Sequence, residues 1–498
     1  MKRRASFLLL ALAMGLPAFA QAQQATRPAI PQSLSLQEAV GLALRFSPAY
    51  RQVENDRNPA TWGVRNAYGS FLPRLSIGGG ISYQGSGSQI FLTDQLSSPS
   101  STRGSGYDLS LGLVVDGRTL TGPSSANASY RATEAMITGA EINLEAAVKQ
   151  QYLGVLRAVA GVGLAELQLQ RNEEFLRLAR ARFDVGQNTM LEVRRAEVAK
   201  GQSEVSLLQA RQGVIVEKLR LFQTIGLPGP DDPSTVVLTD TFPIVEPHWD
   251  LQAVLAEADQ DNPDLITRRA RADFAHASEK ASRMSWWFPT FSFNAGWSGF
   301  TQQFSNSQFP VDQARSGSQS AIAQCQFANS QWLNPGGTPT DCGQFLLTPA
   351  DEQAIIDANN VWPFQFTASP FRASVSLSFP IFTQFSRPLA VAEAEAFTMD
   401  SEEEVRARRL LVRTEVSQGY YALLASYEAI RIQESNQTAA AEQLRLGQER
   451  YRVGSGTFIE LLDAQVAALM AEADYINAVY AYHQSIATLE AAVGRPLR

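Results

Sequence analysis

Few residues in this chain have the spacing that catalysis or metal binding requires. The three histidines, His248, His276 and His483, are far apart and lack metal-ligand spacing. No zinc-protease helix motif, phosphate-binding loop, nucleophile elbow or dinucleotide-binding fingerprint occurs along the sequence. The run Gly78-Gly79-Gly80 interrupts a strand-like pattern, where glycine favours curvature or close packing over phosphate binding. The sequence therefore predicts neither an enzyme nor a bound metal or cofactor.

One acidic pair has a spacing that suits a different chemistry, the attraction of cations. Glu460 and Asp463 are three residues apart, so in a helix they lie on one face. An ordinary solvated helix face explains that spacing equally well. Repeated by symmetry in an oligomer, the pair would form a ring that attracts cations and repels anions. The chain has a formal net charge of −7 and no basic tract, which disfavours nucleic-acid binding.

The two cysteines, Cys325 and Cys342, lie close together in a polar stretch of the second half. In an exported protein this spacing predicts one disulfide that closes a loop. A pair of free, buried thiols is the alternative.

The N-terminus predicts export. Residues 2–4 are basic, residues 7–16 are mostly apolar, and small residues at 18–22 suit a signal peptidase. The apolar run is too short for a bilayer-spanning helix, so residues 1–22 are interpreted as a cleaved signal peptide, with an uncleaved anchor as the alternative. No cysteine follows the cleavage region, so no lipid anchor is expected. Because no later stretch has about 18 consecutive apolar residues, a membrane-bound form would have to use β-strands.

The strongest internal signal is a duplication. The segment RFDVGQNTMLE (182–192) resembles RYRVGSGTFIE (450–460), with the two Val-Gly pairs 268 residues apart. The same offset relates four further pairs: Ala196 and Ala464, Val198 and Val466, Gly226 and Gly494, and Pro228 and Pro496. Upstream the offset is shorter, which places an insertion in a loop of the second half, at about 301–370. The predicted organisation is a first repeat at 23–226, a Pro-rich linker at 227–249 and a second repeat at 250–498.

Each half follows one plan: a helix, two β-segments with a loop between them, a very long helix, a Val-Gly turn and a returning helix. A continuous helix of about 60 residues would extend roughly 90 Å, longer than a globular domain requires. Rows at seven-residue spacing in the returning helices predict coiled-coil packing. Those rows are Leu191, Val198, Val205 and Leu219 in the first half and Ile459, Val466, Ala473 and Tyr480 in the second. The expected helices are 35–70, 123–183 and 189–225, then 250–285, 388–451 and 457–493.

The four β-segments alternate apolar residues with small polar ones, as in Leu75, Ile77 and Ile81 against Ser76 and Ser82. Each is about ten residues long, the length that a tilted membrane-spanning strand needs. Aromatic residues that suit an interfacial girdle crowd the strand ends: Tyr83, Trp286, Trp287, Phe288, Phe300, Phe371, Phe382 and Phe385. A water-soluble sheet is the alternative. Four strands cannot close a barrel, and open edges are prohibited in lipid, so a barrel would require a homo-oligomer.

The duplicated plan and its turns resemble the TolC-type outer-membrane efflux family over nearly the whole mature chain. The most specific part is YRVGSGTFIELLDA (451–464). The resemblance implies a mainly α-helical protein with long coiled-coil hairpins and four β-strands per chain, in a twelve-stranded barrel shared by a homotrimer. It also implies a helical tunnel across the periplasm, closed at its far end, and partners in a periplasmic adaptor and an inner-membrane transporter. The expected location is therefore the bacterial outer membrane, with an extension into the periplasm.

The resemblance also implies roles for the turns and the residues beside them. The Val185-Gly186 and Val453-Gly454 turns would be the periplasmic tips that dock the adaptor, although a plain interhelical turn is the alternative. The acidic pair described above would line the periplasmic aperture.

A closed-state latch is the last of these implied features. Glu192 and Tyr451 would hold the tips closed, but this chain has Gly456 where some members have an arginine, so Arg194, Arg195 or Arg452 would have to supply the cation.

The favoured function is an outer-membrane export duct that passes solutes from the adaptor and the pump to the outside. The alternative is a coiled-coil surface or structural protein with a β-barrel anchor. In this family the 301–370 connection faces outside the cell, so the predicted disulfide would brace a surface loop. Neither the cargo nor the particular adaptor follows from the sequence.

Overall fold

The computed structural model describes residues 32–91, 94–98, 100–187, 189–332 and 338–497. The predicted signal peptide, residues 1–22, lies outside them. The helices are α1 (Leu36–Phe46), α2 (Pro48–Asn55), α3 (Arg57–Gly69), α4 (Gly117–Asp184), α5 (Met190–Ile225), α6 (Leu251–Asp261), α7 (Pro263–Trp287), α8 (Gln308–Trp332), α9 (Pro349–Asn359), α10 (Ser386–Arg452) and α11 (Phe458–Val493). The strands are β1 (Ser33–Leu34), β2 (Arg74–Gln84), β3 (Gly87–Phe91), β4 (Asp94–Ser98), β5 (Thr102–Val115), β6 (Val237–Leu238), β7 (Thr290–Phe304), β8 (Thr367–Ala368) and β9 (Arg372–Ser378).

These elements form two compact units. The first, helical unit contains the chain up to Arg57, Thr133–Arg269 and the chain from Glu404; the second contains Asn58–Ala132 and Ala270–Glu403, including the main β-sheet. The prediction of a mainly α-helical, duplicated chain with four principal strands is confirmed.

Both expected N-terminal helices are broken by an X-Pro pair. The segment at 35–70 forms α1, α2 and α3, and the segment at 250–285 forms α6 and α7. The first break is at Ser47-Pro48 and the second at Asn262-Pro263, because proline disfavours helical backbone in the preceding residue. The side chain of Asn262 then caps α7, accepting from the Leu265 N–H at 2.9 Å and donating to the Ala492 carbonyl at 2.8 Å.

The predicted linker, 227–249, packs against the helical unit. Val236 is buried, and β6 pairs with β1 in parallel. The Lys218 ammonium donates to the Val236 carbonyl at 2.6 Å, and burial lowers the pKa of Lys218. The Tyr152 hydroxyl donates to the Asp240 carboxylate at 2.7 Å, and burial raises the pKa of Tyr152. The segment is therefore part of the core rather than a free tether.

The returning helices α5 and α11 bury a different row from the one that seven-residue spacing suggested. In α11 the buried row runs through Leu461, Ala464, Ala468 and Ala471. In α5 the equivalent positions 268 residues earlier include the buried Val193, Ala196 and Ser203. Small residues let the helices approach closely within one chain. The residues predicted to form the seam, including Leu191, Val198, Val205, Leu219, Ile459 and Val466, are exposed in the single chain.

One described helix, α4, is long and apolar enough in one window to cross a membrane by length and composition. A core helix of a water-soluble protein meets the same criterion, so this is a weak indication.

The second unit carries an antiparallel sheet in the order β2-β5-β7-β9, with the short β8 also pairing with β7. The register puts even-numbered residues of all four long strands on one side, here called the even face, and odd-numbered residues on the other, the odd face. The odd face is apolar along most of its length, with Leu75, Ile77, Trp297, Val375 and Leu377 exposed. The outer strands β2 and β9 each pair with one neighbour, so both edges of the sheet are open.

The insertion at 301–370 is largely helical, and it packs on the odd face at one end of the sheet. It contains α8, α9 and a short 3-10 helix at Cys342–Phe345. The Ser105 hydroxyl lies 2.8 Å from the Thr301 hydroxyl and 2.5 Å from the Pro363 carbonyl, and the Tyr107 ring packs edge-on against Phe366. Ser105, Tyr107 and Thr301 are odd-face residues, so at this end the sheet is covered by polypeptide.

Candidate functional site at the helical turns

Two helical hairpins in the first unit end in matching turns. At the first, Gly186 has φ +73°, and the Gln187 N–H donates to the Arg182 carbonyl at 2.8 Å. At the second, Gly454 has φ +80°, and the Ser455 N–H donates to the Arg450 carbonyl at 2.9 Å. Each turn is thus a Schellman-type helix end, which needs glycine because its backbone is left-handed.

The two valines before these glycines, Val185 and Val453, are exposed. Each hairpin therefore presents an apolar side chain at its end. A polar residue at the same position would allow the chain to reverse equally well. The geometry accounts for the glycines but not for the valines.

Glu460 is engaged in local contacts. It closes a capping box at the start of α11: its backbone N–H donates to the Thr457 hydroxyl at 3.2 Å, and its carboxylate accepts from the Thr457 N–H at 3.4 Å. The Arg450 guanidinium lies 3.6 Å from the same carboxylate, whose side chain is 52% exposed. Its negative charge is therefore partly compensated within the chain.

Asp463 is exposed, and it forms no ion pair with any residue that the structure describes. Its carboxylate lies one helical turn after Glu460. Of the two predicted aperture residues, Asp463 therefore carries the less compensated charge.

Tyr451 is the centre of a buried cluster at the turns, with 2% of its surface exposed. Its hydroxyl donates to the Glu192 carboxylate at 3.3 Å. The Arg182 guanidinium lies 4.6 Å from the centre of the Tyr451 ring and donates to the Tyr451 carbonyl at 2.5 Å. Phe175 packs against this ring and against Phe458, with ring centres 5.8 and 5.1 Å apart. The structure thus brings the two predicted latch residues together.

The cation beside Tyr451 is Arg182, for which the sequence predicted no role. Arg194 pairs instead with Glu197 at 2.7 Å, and Arg195 stacks over the Phe458 ring at 6.0 Å. Among the described residues no cation forms an ion pair with Glu192. The duplication relates Arg182 to Arg450, but Arg450 pairs with Glu460 of its own hairpin, whereas Arg182 contacts Tyr451 of the other hairpin.

The two cysteines lie in the insertion, away from these turns in sequence. Cys325 and Cys342 form a disulfide with an S–S distance of 2.06 Å and a Cα–Cα distance of 5.7 Å. The Asn329 side chain closes the same loop by donating to the Thr340 carbonyl at 2.8 Å. Within the described ranges, no group of three or more His, Cys, Asp or Glu side chains could hold a metal ion.

Comparison with known proteins agrees with this architecture. The family model described as outer membrane efflux protein matches residues 39–227 and 358–495. The chain belongs to the outer membrane efflux protein family. Membership of this family gives the chain a mainly helical fold with a β-barrel contribution, a location in the outer membrane and the function of an export channel. No curated protein sequence matches the chain.

Three solved structures share the fold of this efflux protein. The outer membrane protein VceC of Vibrio cholerae is 15% identical, with a TM-score of 0.65 over 93% of this chain and 97% of that one. The CmeC outer membrane channel of Campylobacter jejuni is 14% identical, with a TM-score of 0.66 over 92% and 85%. The open state of the Neisseria gonorrhoeae MtrE outer membrane channel is 19% identical, with a TM-score of 0.62 over 93% and 89%.

Proposed function

We propose that three copies of this efflux protein close a single twelve-stranded barrel and act as the exit duct of a tripartite export system. The observation that carries the proposal is the sheet with two open edges and an exposed apolar face. In lipid, unpaired backbone groups at an edge cost several kcal/mol each, so β2 of one copy must pair with β9 of the next. Four strands per chain then give twelve in a trimer.

The helices give independent support for an oligomer. The single chain exposes rows of large apolar residues on α5, α10 and α11, among them Val198, Leu208, Leu410, Ile432 and Met470. Exposed apolar area on this scale is unusual for a monomer and is typical of a protein interface. Neighbouring copies would cover these rows and complete a helical tunnel in the periplasm.

The hairpin turns are the proposed docking tips for a periplasmic adaptor, which would connect the duct to an inner-membrane transporter. Val185, Gly186, Val453 and Gly454 would meet the adaptor, because the exposed valines have no partner role within the turns themselves. We also propose that the repeats span 23–226 and 250–498, joined by 227–249, with the surface insertion at about 301–370. The first block matched by the family model, 39–227, ends where the first repeat does, and the second block, 358–495, falls within the second repeat.

The gate in this proposal has two parts. Asp463 and Glu460 of three copies form an acidic constriction, and the Arg182–Tyr451–Glu192 contacts keep the hairpins closed. The cation–π and hydrogen-bond contacts of Tyr451 are buried, where each is worth on the order of 1 kcal/mol. An adaptor that separates the turns would break them and open the duct.

Conductance in a planar bilayer tests the proposal. The purified full-length protein should conduct weakly and with a preference for cations. Arg182→Ala and Tyr451→Phe should raise the conductance several-fold, whereas Arg180→Ala, on the exposed side of the same helix, should not. Asp463→Asn and Glu460→Gln should each reduce the cation preference, because each removes one negative charge per chain and glutamine keeps the capping box.

The alternative is a surface or structural coiled-coil protein with a β-barrel anchor. Such a protein would insert into bilayers without forming an ion path, so no conductance in the wild type or in the latch variants would favour it over a duct.

A further inference from the structure

We infer that the β-sheet carries a second charge filter, formed by Arg74 and Arg372 with Asp108, that attracts anionic groups and is opposite in sign to the acidic pair at the turns. The inference rests on the proposed function, because it requires the even face to line a water-filled barrel. It concerns the class of cargo that the barrel favours, namely solutes carrying carboxylate or phosphate groups.

The three charges lie on the same side of the sheet. The register pairs Arg74 with Gly112, Asp108 with Ser298 and Arg372 with Gly296, and all of these positions are even. Within the described strands β2, β5, β7 and β9, no other even position carries a charged residue. The odd face has one charge at strand positions, Arg103. Charge is thus concentrated on the face opposite the apolar one.

The even face is built mainly from small residues. A cavity of about 1330 Å³ lies against it, lined among others by Arg74, Ser76, Asp108, Asn294 and Arg372. Serine and glycine occupy most remaining even positions, so the two arginine side chains project beyond their neighbours. A passing solute would meet the guanidinium groups before it met the wall.

The three side chains are free to act on a solute. All are exposed, and none forms an ion pair with another described residue. Two positive charges and one negative charge per chain leave an excess of one positive charge, which threefold symmetry would repeat around the barrel. The ring would therefore be cationic, although the protein as a whole has a net charge of −7.

The position of Asp108 limits how far it cancels the arginines. A Cβ at Gly78 would lie 2.3 Å from the Asp108 carboxylate, so this carboxylate leans over β2 at a position where only glycine leaves room. Measured along the strand direction, Arg372 lies two residue pairs from Asp108, which is about 7 Å. On the same measure Arg74 lies about 14 Å from Asp108. Those distances are comparable with or longer than the Debye length of about 8 Å at physiological salt. The arginines therefore keep a local positive field.

Selectivity measurements separate this inference from the function on which it rests. In a KCl gradient, Arg372→Gln and Arg74→Gln should each lower the ratio of chloride to potassium permeability by about twofold, and Asp108→Asn should raise it. Arg103→Gln makes the same charge change on the odd face and should leave the ratio unchanged. Equal shifts in Arg103→Gln and Arg372→Gln, or no shift in any variant, would overturn the inference while the channel still conducts.

A second measurement does not depend on whether the turns are open. Ser374→Cys on the even face should react with an anionic thiosulfonate reagent faster, relative to a cationic one, than the same cysteine combined with Arg372→Gln, by about twofold. Val375→Cys on the odd face serves as the control, because lipid should shield it from both reagents. A reactive Val375→Cys with an unreactive Ser374→Cys would show that the even face does not line the pore, and both proposals would then fail.

Discussion

Gly226 and Gly494 close the first and second halves of the helical unit at equivalent points. Both have left-handed backbone, with φ of +86° and +93°. A Cβ at Gly494 would lie 2.1 Å from the Asp261 carbonyl oxygen, and one at Gly226 would lie 2.4 Å from the Phe46 carbonyl oxygen. Each glycine therefore supports both a helix end and a close approach to the preceding helix break.

Gly494→Ala should lower the free energy of unfolding by more than 2 kcal/mol, because the left-handed backbone strain adds to a backbone clash. The matched control is Gly213→Ala in the middle of α5, where nothing lies within 4 Å of the added Cβ. There the substitution should stabilise by up to about 1 kcal/mol through helix propensity. Thermal unfolding in detergent, followed by circular dichroism, measures both. Equal stability of the two variants would contradict this account of the C-terminal turn.

Glu197 is a pH-dependent contact near the first turn. Its pKa lies below the ordinary value of 4.5, because the Arg180 and Arg194 guanidinium groups donate to its carboxylate. A lowered folded-state pKa contributes stability above the unfolded pKa, and that stability is lost as the pH falls through the lowered value. Protection of the α4–α5 turn against hydrogen exchange, corrected for the intrinsic exchange rate at each pH, should therefore fall on acidification, and Glu197→Gln should remove this component. Screening by solvent keeps the effect small. An unchanged pH profile in Glu197→Gln would contradict it.

At the scale of elements, the sequence identified what depends on local patterns. Period-two alternation located the four main strands, and the Val-Gly pairs located both turns, because left-handed backbone strongly favours glycine. The X-Pro breaks at Pro48 and Pro263 were also visible in the sequence, but the helices predicted at 35–70 and 250–285 run across them. Each expected helix is divided at its X-Pro pair, and the first is divided again at Asp56, where no proline directly follows.

The row of a helix that is buried within one chain could not be predicted in the same way. On α5 both the exposed row through Val198 and Val205 and the buried row through Val193 and Ala196 have coiled-coil spacing. Spacing indicates that a row packs, but not whether its partner belongs to the same chain. Likewise, Arg182 reaches Tyr451 only through the approach of two hairpins distant in sequence, so its role required coordinates.

The insertion is a separate element whose stability can be tested alone. Its disulfide closes a loop of 17 residues by sequence separation, which chain-entropy models value at about 3 kcal/mol. Replacing both Cys325 and Cys342 with serine should make the α8–α9 region sensitive to protease added outside the cell, while the sheet and trimer persist. The comparison is with wild type under oxidising conditions. If the barrel were lost together with the loop, the insertion would not be an independent element.

At the scale of the whole molecule, one chain has to bury its sheet in lipid and keep its helices stable in water. The sheet has unpaired strands at both edges, and the returning helices expose one apolar row. Both features indicate that further copies of the chain pack against this one. In one closed trimer, the neighbouring copies that pair with the strand edges must also cover the helix rows. A change confined to the helices should therefore also affect the barrel.

The row on α5 formed by Val198, Val205 and Leu208 provides that test, since these residues are 60%, 54% and 69% exposed in one chain. Replacing all three with serine leaves the intrachain core untouched and removes apolar area worth about 1.5–3 kcal/mol per fully covered side chain. Size-exclusion chromatography with light scattering should find a trimer for wild type and monomers for the triple variant, which should also lose heat-resistant β-structure. Val245→Ser, an exposed valine outside the helical rows, should remain trimeric. Persistence of the trimer in the triple variant would mean that the sheet edges alone hold the copies together.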